Sequence, residues 1–201
     1  MMPRIFTNRT IFPMDTSKVT GIILAGWHGK SMGELDKGLQ NFRGAPMTLH
    51  VLMRLAPQVA DVMINANHNL GPYEGFGVSV WPNEIAGVST ALAGIQTGLL
   101  HCDTEFMVSV PCDAPFVPLN LVQQLAQGLQ GLHKQQDADL SIAVTGAGAT
   151  RQAHPLFCLM NSTLLEHLTQ YLRAGGHELD AWHASLKVAE VHFDDEAAFR
   201  I

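Results

Sequence analysis

At 201 residues, with 47% apolar and 15% charged side chains, the chain has the length and apolar content to bury a core, which excludes an intrinsically disordered protein. A formal net charge of −6 excludes a broad nucleic-acid-binding face, which needs a basic surface, but leaves room for a nucleotide, whose phosphates require only local donors. No stretch is apolar enough for a signal peptide or a membrane span, and the scattered Cys102, Cys112 and Cys158 form neither a disulfide framework nor a CxxC metal site; a cytoplasmic protein is expected, residues 1–18 being a loose extension and 19–201 one domain.

Val19 to Leu24 reads as a first buried strand. A glycine-rich segment follows, holding Gly26, Gly29, Gly33 and Gly38. Gly38 to Phe42 is expected as a short extended connection and Arg43-Gly44-Ala45-Pro46 as a turn, with Pro46 in the first turn of a helix. Val51, Leu52 and Leu55 share a face of that helix, which Pro57 closes. Asp61 to Asn67 is a second strand and Gly77 to Trp81 a brief third.

A helix starts at Thr90, with Leu92, Ile95 and Leu99 on one face. Phe106 to Val110 is a strand running into Pro111-Cys112-Asp113-Ala114-Pro115. Leu121, Leu125, Leu129 and Leu132 stripe the next helix. Leu140 to Val144 and Leu156 to Leu159 are strands, Leu164, Leu165, Leu168 and Leu172 mark a helix, and Val188 to Phe193 is a last strand. Such alternation predicts a three-layer, doubly wound, mostly parallel α/β sheet. Ligands of such sheets bind beyond the C-terminal ends of the strands. Three strand ends, the Gly26–Gly38 loop, Asn65/Asn67 and Asp113, are therefore expected to converge.

The chemistry of these residues leaves alternatives. Glycines allow close approach of backbone N–H groups to an anion, Lys37 supplies a cation, and Asp36 either orients that lysine or carries charge of its own. A Walker A loop is excluded because Leu24 stands where its first glycine belongs, and the dinucleotide pattern G-x-G-x-x-G fails at His28. Asp113 reads equally as a turn or N-cap aspartate and as a Mg²⁺ ligand of the one-carboxylate kind. Asn65 and Asn67 are turn formers or donors and acceptors to a base edge or ribose. The ten histidines show no metal-binding spacing. Cys112, Trp81 and Trp182 read as packing residues.

Taken together, Leu24-Ala25-Gly26, Met32-Gly33, Asp36-Lys37-Gly38, Asn65-Ala66-Asn67, Leu92-Ala93-Gly94 and Pro111-Cys112-Asp113-Ala114-Pro115 resemble the molybdenum cofactor guanylyltransferases. The likeness continues through His154-Pro155, Gly175-Gly176, Asp180-Ala181-Trp182 and Phe193-Asp194-Asp195, from residue 19 onward. It implies a Rossmann-like nucleotidyltransferase fold and Mg²⁺-dependent transfer of GMP from GTP to molybdopterin, releasing pyrophosphate. By the same resemblance Leu24, Ala25, Gly26, Lys37, Asn65, Asn83 and Asp113 bind the nucleotide, Lys37 and Asp113 are catalytic, and Asp113 holds the metal. The cofactor's own terminal phosphate is then the nucleophile. Molybdoenzymes or other cofactor-biosynthesis proteins are the expected partners, with no nucleic acid and no membrane.

The sequence departs from the family pattern at Trp27 and Ser31, where the family carries glycine and arginine, at Asn83 in place of an acid, at Thr90-Ala91, at His177-Glu178, and in ending at Ile201. These departures keep two other readings beside the first. One is a relative that binds nucleotide, cofactor or a partner without transfer. The other is a transferase of a different nucleotide, such as CMP.

Overall fold

The computed structural model describes residues 14–26, 36–85, 87–130 and 138–200. Trp27, Ser31 and Leu132 lie outside these, as do residues 1–13 of the N-terminal extension. Just ahead of the sheet, Asp15 accepts from the Ser17 backbone N–H at 3.0 Å and caps a 3-10 turn, Thr16–Lys18.

The first strand, β1 (Val19–Leu24), is buried along its whole length. Its side chains divide by the strand's period of two. Val19 and Ile23 enter one core with Val51, Leu55, Leu121 and Leu125. Ile22 and Leu24 enter another with Leu92, Ile95, Leu168 and Trp182. A strand whose two faces fill two separate cores must lie in the middle layer of three, which is the doubly wound arrangement expected.

Past β1 the described chain resumes with a 3-10 turn, Lys37–Leu39, then β2 (Asn41–Phe42) and β3 (Ala45–Pro46) as a small antiparallel ribbon. The extended connection expected from Gly38 is therefore corrected to a turn followed by a hairpin. Arg43 (φ 51°) and Gly44 (φ 95°) are both left-handed, as a two-residue hairpin loop matching the strand twist requires. Pro46 (φ −57°, ψ 142°) stands ahead of α1 (Met47–Leu55) in extended conformation rather than inside its first turn. Pro57 lies in the 3-10 turn Ala56–Gln58 that ends the helix.

Next come β4 (Asp61–Asn65), which stops two residues short of Asn67, then α2 (Leu70–Glu74), which the sequence reading lacked, and β5 (Ser79–Trp81). Helix α3 (Ala91–Leu100) is capped by Thr90, whose Oγ1 accepts from the Ala93 N–H at 3.3 Å. The second half runs β6 (Phe106–Pro111), α4 (Leu121–Leu129), β7 (Leu140–Thr145), β8 (Gln152–Asn161), α5 (Leu165–Arg173), α6 (Leu179–His183) and β9 (Val188–Phe193). Strand β8 is longer than the expected Leu156–Leu159, and α6 was not expected.

The seven strands of the main sheet lie in the order β5-β4-β1-β6-β8-β7-β9. All neighbours are parallel except at β8, which runs against both β6 and β7. The reason is local. The link between Thr145 and Gln152 is too short for a crossover, and a direct return can only be antiparallel. A final 3-10 turn, Glu196–Phe199, lays Phe199 on His154, Phe157 and Phe193 with ring centroids 4.8–5.0 Å apart.

Candidate nucleotide-binding site

Sheet register explains why the distant motifs meet. Leu24 is paired with Asn65 on one side and Pro111 on the other, and Asn65 is paired with Trp81. Four strands thus end in one row, and the chain leaves them through Gly26, Asn67, Asp113 and Asn83, the last three with polar side chains. The row is closed by backbone bonds from Ala25 N–H to the Asn65 carbonyl (2.8 Å), Ala66 N–H to Trp81 (3.1 Å) and Cys112 N–H to Leu24 (3.1 Å). The convergence expected of the three strand ends holds for the described parts of the loop, Gly26 against Asn67 and Lys37 against Asp113, while Gly29 and Gly33 lie outside the described residues; Asn83 adds a fourth end.

Leu24 and Ala25 contribute no side-chain chemistry, since both are buried; what they bring to the edge is backbone. Asn65, only 2% exposed, is a strut between strand ends. Its amide donates to the Trp81 carbonyl at 3.0 Å and to Asn83 Oδ1 at 2.9 Å. Its oxygen lies so close to Gly26 that a Cβ added there would sit 2.6 Å away, and one on Gly94 would also collide with it. Glycine at these two positions is a matter of space around one buried amide.

Asn83 continues the network. Its amide donates to the Val88 carbonyl at 2.8 Å, and its backbone N–H donates to Asn67 Oδ1 at 2.8 Å. A carboxylate at 83 would turn an oxygen on the Val88 carbonyl, so the amide found there suits its surroundings. Beside it Trp81 stacks on His101 at 3.8 Å, and His101 Nε2 lies 3.1 Å from Glu84 Oε1.

On the other side of β1 sits the charged pair. Lys37 Nζ is 3.0 Å from Asp113 Oδ2, with the lysine about one-third exposed and the aspartate 12%. Asp113 caps no helix, because α4 begins at Leu121 behind Asn120. It occupies the turn after β6, one oxygen on the lysine. Asp36 is turned away from this pair. It is 9% exposed and accepts from the Tyr73 hydroxyl at 2.5 Å and Asn69 Nδ2 at 3.0 Å. Neither Tyr73 nor Asn69 was anticipated. The only signal was Asn69 ahead of Gly71-Pro72, which reads as a loop.

Two titrating groups nearby are held neutral. Burial first, and then the Asp36 hydrogen bond, push the Tyr73 phenol above its usual range, so it stays a donor. Burial first, and then the Asp113 and Asp36 charges, push the Cys112 thiol up, which removes it as a thiolate nucleophile. Among the described residues no cluster of three His, Cys, Asp or Glu side chains stands ready for a metal. A cation at this edge would take one carboxylate from the protein and the rest of its ligands from phosphates and water, the mode Mg²⁺ favours. Asp113 fits that role.

Comparison with known proteins adds the following. Residues 21–188 match the MobA-like NTP transferase domain. A molybdenum cofactor guanylyltransferase of Bordetella petrii is 47% identical over 186 residues, covering 92% of this chain and 93% of that protein. One from Cupriavidus metallidurans is 48% identical over 182 residues, with coverage of 90% and 88%. Among solved structures, molybdopterin-guanine dinucleotide biosynthesis protein A from Archaeoglobus fulgidus superposes with a TM-score of 0.66 at 16% identity, covering 86% of this chain and 83% of that one. The 4-diphosphocytidyl-2C-methyl-D-erythritol synthase of Anaerococcus prevotii gives 0.71 at 12% identity, covering 93% of each chain. At these identities the two structures speak for the fold alone.

Proposed function

This chain belongs to the MobA-like NTP transferase family, and from that membership we propose that it is a molybdenum cofactor guanylyltransferase, with residues 19–201 as its single catalytic domain. The reaction is attack by the terminal phosphate oxygen of molybdopterin on the α-phosphorus of GTP. One P–O bond forms, the bond to the β-phosphate breaks, and pyrophosphate leaves.

The observation that carries the site assignment is the pairing of Lys37, in the 3-10 turn Lys37–Leu39, with Asp113 just past the end of β6. Phosphoryl-type transfer asks a protein mainly for position and charge. Lys37 neutralises the negative charge that grows on the leaving phosphates. Asp113 would hold Mg²⁺, which when bound would supply Lewis-acid stabilisation of the phosphates. The backbone at Leu24, Ala25 and Gly26 lines the nucleotide, and Asn65 and Asn83 shape the wall next to it from the buried network. No protein nucleophile is required, in keeping with the protonated, buried Cys112.

The substrates are GTP and the molybdopterin cofactor, and the dinucleotide product passes to molybdoenzymes or other proteins of cofactor biosynthesis. Among the described residues no helix is long and apolar enough to cross a membrane; the cytoplasm is the proposed compartment.

The test is titration calorimetry with GTP, ATP and CTP, with and without Mg²⁺, followed by a transfer assay from labelled GTP to molybdopterin. GTP-selective, Mg²⁺-dependent binding with label transfer is the expected result. Selectivity for CTP would reassign the nucleotide, and binding without transfer would leave a non-catalytic relative.

A further inference from the structure

Consecutive side chains at the end of the glycine-rich segment go opposite ways. Lys37 reaches out to Asp113, whereas Asp36 points inward, a negative charge with little solvent around it. Burying a carboxylate is costly unless donors meet it, and here each of its oxygens has one: Tyr73 hydroxyl on Oδ1 and Asn69 Nδ2 on Oδ2. Both donors come from one place, the five-residue helix α2 and the residue before it. Asn69 is left-handed (φ 53°), a conformation that asparagine tolerates better than most residues. Tyr73 is completely buried, its ring edge-on to Phe76 at 6.0 Å.

The main chain of Asp36 is fixed as well. Its carbonyl accepts from Leu39 N–H at 3.2 Å and from Gln40 Nε2 at 3.3 Å, closing the 3-10 turn on which Lys37 rides. Gly38, the next residue, packs so tightly that an added Cβ would strike the Tyr73 hydroxyl.

We infer that Tyr73, with Asn69, is a positioning residue for Lys37: the two donors lock the Asp36 carboxylate inside the fold, and the lock holds the following turn so that the Lys37 ammonium meets the phosphates. This inference rests on the reading of Lys37 as the phosphate-binding cation. A positioning group acts through geometry, and small misplacement of a catalytic group costs rate steeply.

The experiment has two readouts. In the transfer assay with MgGTP, Tyr73→Phe is expected to lower kcat about ten- to a hundred-fold with KM changed little. In the nucleotide-free protein, the rate of Lys37 acylation by an amine-reactive reagent, followed by peptide mass spectrometry with Lys18 as reference, is expected to rise several-fold. Asn69→Ala, which leaves the buried ring in place, should act in the same direction if Tyr73→Phe fails to fold.

The double swap Asp36→Asn with Asn69→Asp exchanges donor and acceptor and keeps an amide oxygen for Tyr73, so it should restore most of the loss caused by Asp36→Asn alone. Failure of that rescue would show that charge at 36, and not the lock, matters, and would overturn the inference. Unchanged kcat and Lys37 acylation in a folded Tyr73→Phe would do the same. If the wild-type protein transfers no GMP, the functional reading falls, and the acylation readout still decides on the lock.

Discussion

Asn67 ties Gly26 to Asn83. Its side-chain nitrogen donates to the Gly26 carbonyl at 2.8 Å while its oxygen accepts the Asn83 backbone N–H at 2.8 Å. One amide thus joins the exit of β1 to the chain beyond β5. Asn67→Ala removes both bonds and leaves two backbone groups without these partners, so a loss of about 1–3 kcal/mol in stability is expected from chemical denaturation. GTP affinity should fall as well, since Gly26 no longer has its anchor. A variant with wild-type stability would mean that water satisfies both groups.

Asp113→Ala should erase the Mg²⁺-dependent part of GTP binding while the melting temperature stays close to wild type, because the side chain sits in a turn and, among the described residues, its ion pair is with the partly exposed Lys37. Calorimetry with and without the metal checks this. Metal-dependent affinity that survives the substitution would place the ion elsewhere. Lys37→Ala should lower transfer by about 10²–10³, the usual effect of losing one transition-state charge donor.

Gly38 has no room for a side chain. An added methyl would lie 2.5 Å from Thr48 Oγ1 and would also meet the Tyr73 hydroxyl. Gly38→Ala is expected to cost about 1–3 kcal/mol through overpacking. Adding Tyr73→Phe removes one of the clashing atoms, so the double variant should lose less than the sum of the singles. Strict additivity in the double-mutant cycle would show that the two positions do not touch.

Acid stability should depend on His183. It is 7% exposed, and its Nε2 has no hydrogen-bond partner among the described residues. Burial, opposed in part by Asp180, lowers its pKa from 6.5 to about 4. The folded protein thus holds this ring neutral where the unfolded chain would bind a proton. Its stabilising contribution, at most about 3 kcal/mol, is complete above the unfolded value and disappears as pH falls through the folded one. His154, stacked on Phe199, is lowered by burial as well and adds in the same direction. His183→Gln should flatten the fall in stability between pH 6.5 and 4, as read by urea denaturation at each pH. An unaltered slope would assign the pH dependence to other groups.

What the sequence discloses and what it hides follow from range. Leu24, Asn65 and Asp113 were readable because each ends an apolar run, and parallel sheets gather such ends along one edge. Asp36 and Lys37 were visible as a pair, but their opposite directions were not, since those depend on Tyr73 from a helix too short to show a period. At Asn83 the sequence reading expected an acid from the resemblance, and it is the contact of the amide with the Val88 carbonyl that explains how an amide fits there. The antiparallel course of β8 depends on how tightly the chain turns between Thr145 and Gln152, which no apolar pattern encodes.

The place of β1 in the sheet has a consequence for biogenesis. Its partners are β4 on one edge and β6 on the other, with Val19 registered against Phe106. During synthesis this apolar strand emerges ahead of both partners and keeps one edge bare until β6 leaves the ribosome. A nascent chain stalled before Phe106 exposes unpaired backbone flanked by apolar side chains, which makes it a substrate for chaperones. Lys37 is translated long before Asp113, so the charged pair is among the contacts that must wait for the second half of the chain.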